Sequence, residues 1–315
     1  MASSDNSYSI TLGTMKDKLD AFDKELSKLA GLEGLKSQLR SWVKQLVVDE
    51  KRRTLGLKVG TRRPPHMAFL GNPGTGKTMV ARLLGKILHM LEIIPTEKVV
   101  EVQRTDLVGK YLCETGSKTR KKIKEAEDGI LFVDEAYRLM PADLHYHDYG
   151  LEALEEIMSF MDTGKVVVIF AGYSEQMERV ISANPGFRRR VTKFFYFDDF
   201  NCTDLANILF LKMSNFQKDE NNPLYGFELH ESCTVPCIEV IIRQGSTEKQ
   251  RNEMNGGLVD VLLVNARENL DKRIDDECED VDALTKIMLE DLRAGLQLME
   301  RAQEKGRELG EGDAN

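Results

Sequence analysis

Eight consecutive residues, Gly71-Asn72-Pro73-Gly74-Thr75-Gly76-Lys77-Thr78, set glycines, a lysine and a hydroxyl in the spacing G-x-x-x-x-G-K-T. Glycines let backbone N–H groups curl around phosphate oxygens, and a helix starting directly after them presents its positive end to the same charge. Lys77 can approach the β- and γ-phosphates, and the Thr78 hydroxyl suits Mg2+. The residues expected to bind the nucleotide are Asn72, Pro73, Gly74, Thr75, Gly76, Lys77, Thr78 and Met79, with Tyr173 as a further candidate. A second cluster lies 57 residues beyond Lys77, where the apolar run Ile130-Leu131-Phe132-Val133 ends in Asp134-Glu135. Asp134 is expected to hold Mg2+ through water, and Glu135 to orient and polarise an attacking water. Together these groups suit in-line hydrolysis of ATP, a reaction whose barrier falls mainly by positioning and charge stabilisation.

Those residues need elements to hold them. Residues 66–70 read as a short apolar strand before the glycine turn, and 79–91 as a helix packed on a sheet. The alternation continues with strands at 99–102, 129–134, 166–171 and 192–197 and helices at 116–126 and 150–161. Five strands alternating with helices make an α/β fold with a parallel sheet. Upstream, Met15, Leu19, Phe22, Leu26 and Leu29, then Leu35, Leu39, Val43 and Leu46, recur at helical spacing around a glycine turn. Beyond Asp199 the pattern is helical without evident strands: 202–216, 235–243, 258–274 and 283–305. The expected division is a polar N-terminal segment (1–26), a nucleotide-binding α/β domain (27–199), a helical lid (200–275), and an acidic helix with a frayed tail (276–315).

Charge and composition narrow the function classes. The 315 residues carry 44 Lys plus Arg against 52 Asp plus Glu. The excess is local, because residues 275–315 hold 13 acidic and 5 basic side chains while 1–274 are balanced at 39 each. That argues against binding along a nucleic-acid backbone. The basic stretch Lys51-Arg52-Arg53 and Arg62-Arg63 lacks interleaved aromatics and reads as a solvated face. Five scattered cysteines point to reduced thiols in an intracellular, most simply cytoplasmic, setting, with nucleus and plastid left open. The polar opening lacks a secretory pattern, and no apolar run nears the roughly 20 residues that span a bilayer. His145 and His147 share a polar loop without a third ligand and read as hydrated.

Further segments carry a resemblance. They are Asp106-Leu107-Val108-Gly109-Lys110-Tyr111-Leu112-Cys113-Glu114-Thr115, Asp134-Glu135-Ala136-Tyr137, Ala171-Gly172-Tyr173 and Asn184-Pro185-Gly186-Phe187-Arg188-Arg189-Arg190-Val191. With them the chain resembles AAA+ ATPases of the CbbX/CfxQ group, the red-type Rubisco activases and related sporulation-type ATPases, over residues 27–275. The resemblance implies an AAA+ P-loop domain followed by a small helical lid, ATP-driven assembly into a hexameric ring, and threading of a protein substrate through a central pore. It puts Tyr111, Leu112 and Cys113 in the pore loop, with cysteine where the family usually has glycine. It makes Arg188, or else Arg190, the arginine that reaches a neighbour's phosphate. Tyr173 either offers its hydroxyl near the nucleotide or caps the sheet edge. The lid element Gly-Asn-Ala-Arg corresponds to Met254-Asn255-Gly256-Gly257, so Gly257 stands where a sensor arginine would. Arg267, ten residues on, lies about 15 Å further along a helix and is expected to face solvent or another subunit.

The resulting reading is a Mg2+-dependent ATPase that remodels a protein substrate from a ring assembly, with neither nucleic acid nor membrane as partner. One alternative is activase-like release of inhibitory sugar phosphates. A second is a non-enzymatic scaffold stabilised by ATP, for which Gly257 is the supporting feature.

Overall fold

The computed structural model describes residues 15–60, 65–111, 113–140, 149–275 and 277–299. Leu112, His145 and His147 lie outside them. The chain divides into two compact units. The first takes residues up to 29, 33–70 and 77–196, and the second takes 30–32, 71–76 and everything from 197.

In chain order the first unit contributes α1 (Met15–Leu26), α2 (Glu33–Thr54), β1 (His66–Gly71), α3 (Lys77–Met90), β2 (Val99–Val102), α4 (Arg104–Leu107), α5 (Thr115–Glu125), β3 (Ile130–Val133), a 3-10 turn (Ala136–Leu139), α6 (Tyr149–Met161), β4 (Val167–Gly172), α7 (Ser174–Ala183), α8 (Pro185–Arg190) and β5 (Val191–Phe197). The expected five strands form one sheet in the order β2-β3-β4-β1-β5. The β2–β3, β3–β4 and β1–β4 pairs are parallel, with Val133 opposite Phe170 and Leu70 opposite Gly172. β3 and β4 are buried along their whole length, as a parallel sheet covered on both faces requires. Alternate residues serve the two faces. Ala68, Leu70, Leu131, Val133, Val168 and Phe170 pack with Ile123, Leu154, Ile157 and Phe187 from the helices on one side. On the other, the Phe69 ring meets Phe132 and Phe195, and Phe195 meets Trp42 of α2.

Because these three strands are parallel, their carboxyl ends share one edge of the sheet. β1 leads there into the glycine turn, β3 into Asp134-Glu135, and β4 into Tyr173. Between β4 and β5 the chain adds α7 and α8, short helices beyond those expected from the apolar spacing. The start of α8 is set by Asn184, whose Oδ1 accepts from the N–H groups of Gly186 (2.9 Å) and Phe187 (3.1 Å), with Pro185 at the first helical position.

The second unit contains α9 (Cys202–Phe216), β6 (Glu228–Leu229), α10 (Val235–Gln244), α11 (Glu248–Met254), α12 (Gly256–Arg273), α13 (Val281–Thr285) and β7 (Lys286–Ile287), followed by helix over 289–299. Two expectations are corrected here. The region is not strand-free, since β6 and β7 pair in parallel. Nor is the terminal stretch one helix from 283, because the chain leaves α13 to form β7 and restarts after Met288. The restart is fixed by Asp291, which accepts the Met288 N–H at 2.8 Å and is buried against Arg273 at 3.1–3.2 Å. A reciprocal capping box, Asn201 with Asp204, starts α9, and Thr247 with Gln250 starts α11. Leu205, Leu209, Ile238, Ile242, Leu258 and Leu262 are fully buried in this unit. Cys233 is buried, donates to the Ile287 carbonyl, and has its thiol pushed up to about 11 by burial, so it packs and does not react. No described helix is long and apolar enough to cross a membrane.

Candidate nucleotide site

In the first unit the buried strand β3 delivers two carboxylates at its end. Asp134 is half-buried, and its Oδ1 accepts the Glu135 N–H at 3.0 Å. Burial raises its pKa above the ordinary value, while that N–H and the charge of Lys77, first residue of α3, oppose the rise. Glu135 sits at φ 49°, ψ 41°, left-handed backbone that turns the chain sharply into the 3-10 segment. Its carboxylate accepts the Tyr137 hydroxyl at 3.2 Å and pairs with Arg138 at 3.1 Å. The Tyr137 ring in turn lies 5.6 Å from that of Tyr173, which is half-buried at the start of α7. Thr78 is half-buried and Met79 is exposed on α3. The Thr78 hydroxyl and Asp134 carboxylate are hard oxygen donors of the kind Mg2+ takes, so the donor set fits that ion.

In the second unit the turn from Gly71 to Gly76 is shaped by its glycines. A Cβ at Gly71 would lie 2.4 Å from the Phe197 carbonyl oxygen, and Gly74 and Gly76 sit at φ +71° and +89°. The buried Thr75 hydroxyl donates to the Asn72 carbonyl at 2.7 Å. Asn72 Nδ2 donates to both Asp199 oxygens at 3.0 Å. Asn255 Nδ2 donates to the Pro73 carbonyl at 3.1 Å, and the Gly256 N–H to the Gly74 carbonyl at 3.0 Å. Asp199 and Asn255 were absent from the expected site. The local signal for Asn255 is its place in the stretch Met254-Asn255-Gly256-Gly257, which the resemblance sets against the lid element.

The remaining expected residues sit on exposed features. Tyr111 is 72% exposed, and Cys113 is exposed at φ 67°, a conformation glycine takes more readily. Arg188 and Arg189 are exposed at the end of α8. Arg190 instead binds its own chain, with Nε 3.1 Å from both Asp162 oxygens and Nη1 donating to the Gly186 carbonyl at 3.2 Å. Arg267 does not simply face solvent: its guanidinium lies 4.7 Å over the Phe227 ring and donates to the Pro223 carbonyl. The attraction of a planar cation to an aromatic face and a carbonyl holds it within the second unit.

Comparison with known proteins places this geometry. Residues 67–199 match the family described as "ATPase family associated with various cellular activities (AAA)", and 199–300 match a "Domain of unknown function (DUF8495)". Stage V sporulation protein K of Bacillus subtilis (strain 168) is 40% identical over 192 residues, 60% of this chain and 59% of that protein. The chromosomal protein CbxX of Cupriavidus necator is 38% identical over 214 residues, 66% of this chain and 67% of that protein. The chain belongs to the CbbX/CfxQ family of AAA+ ATPases. Another member, the chloroplastic ribulose bisphosphate carboxylase/oxygenase activase of Cyanidioschyzon merolae, is 40% identical over 62% of this chain and 65% of that protein. The aligned part thus spans about three fifths to two thirds of these relatives, 59–67% of their length. A crystal structure of the FIGL-1 AAA domain in complex with ADP matches with TM-score 0.57 and 21% identity, covering 85% of this chain and 82% of that one, which shows the shared AAA+ fold.

Proposed function

We propose that the chain hydrolyses ATP through Lys77, Asp134 and Glu135 and uses the turnover, as a ring of copies, to remodel a protein client. The carrying observation is the pair Asp134 and Glu135 at the end of a fully buried strand, with Lys77 near enough to act on Asp134, in a chain of the AAA+ family. Lys77 neutralises phosphate charge, and Glu135 orients and polarises the attacking water. Thr78 and Asp134 would hold Mg2+, whose chemistry is to draw charge from the phosphate oxygens. Exposed Arg188 is the residue suited to a neighbour's phosphate, since Arg190 is committed to Asp162. An arginine supplied in trans makes turnover depend on assembly. Exposed Tyr111 offers a rigid amphipathic ring to a client. Residues 27–199 act as the nucleotide domain in this reading, and 200–275 as its lid.

The activase of Cyanidioschyzon merolae favours a specific form of this function: activase-like release of an inhibitory sugar phosphate from a ribulose bisphosphate carboxylase/oxygenase. A different protein client is favoured by the equal 40% identity to a sporulation protein. ATP turnover over a protein concentration series tests the motor, with specific activity expected to rise with concentration and to fall about 100-fold or more in Lys77→Ala and Glu135→Gln. Stable oligomers without turnover would instead support an ATP-bound scaffold. Reactivation of a sugar-phosphate-inhibited carboxylase, set beside capture of proteins by Glu135→Gln held in ATP, separates the clients.

A further inference from the structure

Asn255 is fully buried at φ 48°, ψ −125°, a conformation that glycine adopts freely and a side chain resists. Its amide is correspondingly well used. Nδ2 lies within hydrogen-bond distance of Pro73 O (3.1 Å), Asp199 Oδ1 (2.8 Å) and Asn252 O (2.8 Å), and Oδ1 accepts the Phe200 N–H at 2.9 Å. Asp199 extends the link by accepting Asn72 Nδ2 on both oxygens at 3.0 Å. The next residue, Gly256, donates its N–H to Gly74 O at 3.0 Å. Asn72, Pro73 and Gly74 are therefore all tied, directly or through Asp199, to the two residues that open α12. In a part-buried network of this kind, centred on a buried amide, removing one member leaves other polar groups with fewer partners, so its parts shift together.

We propose that Asn255 is a positioning residue for the phosphate loop, and that this clasp couples the loop to the start of α12. The inference rests on the nucleotide reading above. With the Pro73 and Gly74 carbonyls already held, the loop is ordered before phosphate arrives, which lowers the entropic cost of binding. A loop movement that accompanies phosphate binding or release then acts on the first turn of α12.

Asn255→Gly keeps the backbone conformation and deletes the amide, and Asn72→Ala deletes the far end of the clasp. Each is examined by the Kd of a fluorescent ATP analogue, steady-state ATPase kinetics, and amide exchange of residues 71–78 in the ligand-free full chain. The expected result is a Kd and KM about tenfold higher, the loss of one or two net hydrogen bonds, and loop exchange about tenfold faster. In Asn255→Gly, kcat at saturating ATP should change less than about threefold, and the Kd of the double variant should be no more than about twofold worse than that of the worse single one. Asn255→Asp sets a carboxylate against Asp199 and should weaken binding further, with partial recovery when Asp199→Asn is added. Kd and loop exchange within about twofold of wild type in both single variants, or effects that multiply in the double, would overturn the proposal. Failure of the wild-type protein to bind ATP would count against the nucleotide reading, whereas the ligand-free exchange measurement judges the clasp by itself.

Discussion

Arg138 Nη1 lies 3.1 Å from Glu135 Oε2, three residues along the same chain. The left-handed backbone at Glu135 leads into the 3-10 turn that makes this pairing possible, and the Tyr137 hydroxyl occupies the other carboxylate oxygen. The carboxylate proposed to polarise water is therefore already shared with a cation, which competes with water for its oxygens. Because the arginine side chain is largely exposed, the pairing is easily broken. Arg138→Ala should raise kcat about twofold to fivefold with KM little changed. A fall in kcat would mean that Arg138 holds Glu135 in its working position.

The neighbouring arginines Arg188 and Arg190 should separate cleanly. Arg188→Ala is expected to cut kcat about a thousandfold while ATP binding persists, the loss seen when a trans-acting arginine is removed. Arg190→Ala breaks the pairing with Asp162 and should lower stability by no more than about 1 kcal/mol. Parallel turnover and denaturation measurements on the two variants check both outcomes.

Glycine substitutions in the phosphate loop should also differ. Alanine at Gly74 meets a left-handed backbone at φ +71° and the Met254 carbonyl oxygen 2.4 Å from the new Cβ. At Gly76, φ is +89° but nothing lies within 4 Å. Left-handed strain of about 1–2 kcal/mol applies to both, and the collision only to Gly74→Ala. Thermal unfolding should therefore show Gly74→Ala as the less stable variant, and equal melting temperatures would contradict the packing at Met254.

His66 gives stability a defined pH dependence. Its Nδ1 accepts the Val168 N–H at 3.1 Å, so the proton resides on Nε2, which donates to Met161 O at 3.0 Å. Burial holds the imidazole pKa below its ordinary value. The unfolded chain therefore binds the proton first on acidification, and stability falls as pH drops below about 6.5 toward the depressed folded value. His66→Asn preserves an acceptor and a donor without titrating. Its melting temperature should vary less than that of wild type between about pH 5 and 7.

The strands and the phosphate loop were legible because their signals are local. Apolar runs such as 130–133 and 167–171 become strands buried on both faces, and the glycine spacing at 71–76 requires backbone that few other residues adopt. The α11 start is also written locally, as Thr247 and Gln250 three residues apart, but a helix of 7 residues with none of them buried carries no apolar period to mark it. β6 and β7 have two residues each, too few for a period to show, and exist because distant segments pair.

Sequence by itself determined the succession of the five sheet strands along the first unit, the family and the candidate chemical groups, since each depends on residues close together or in a recognisable pattern. Tertiary structure decided which arginine is already engaged, what holds Glu135, and how the phosphate loop is anchored. The amide of Asn255 reaches Pro73 across 182 residues of chain. Such a contact follows from burial and from the demand that enclosed polar groups be satisfied, and no local spacing encodes it.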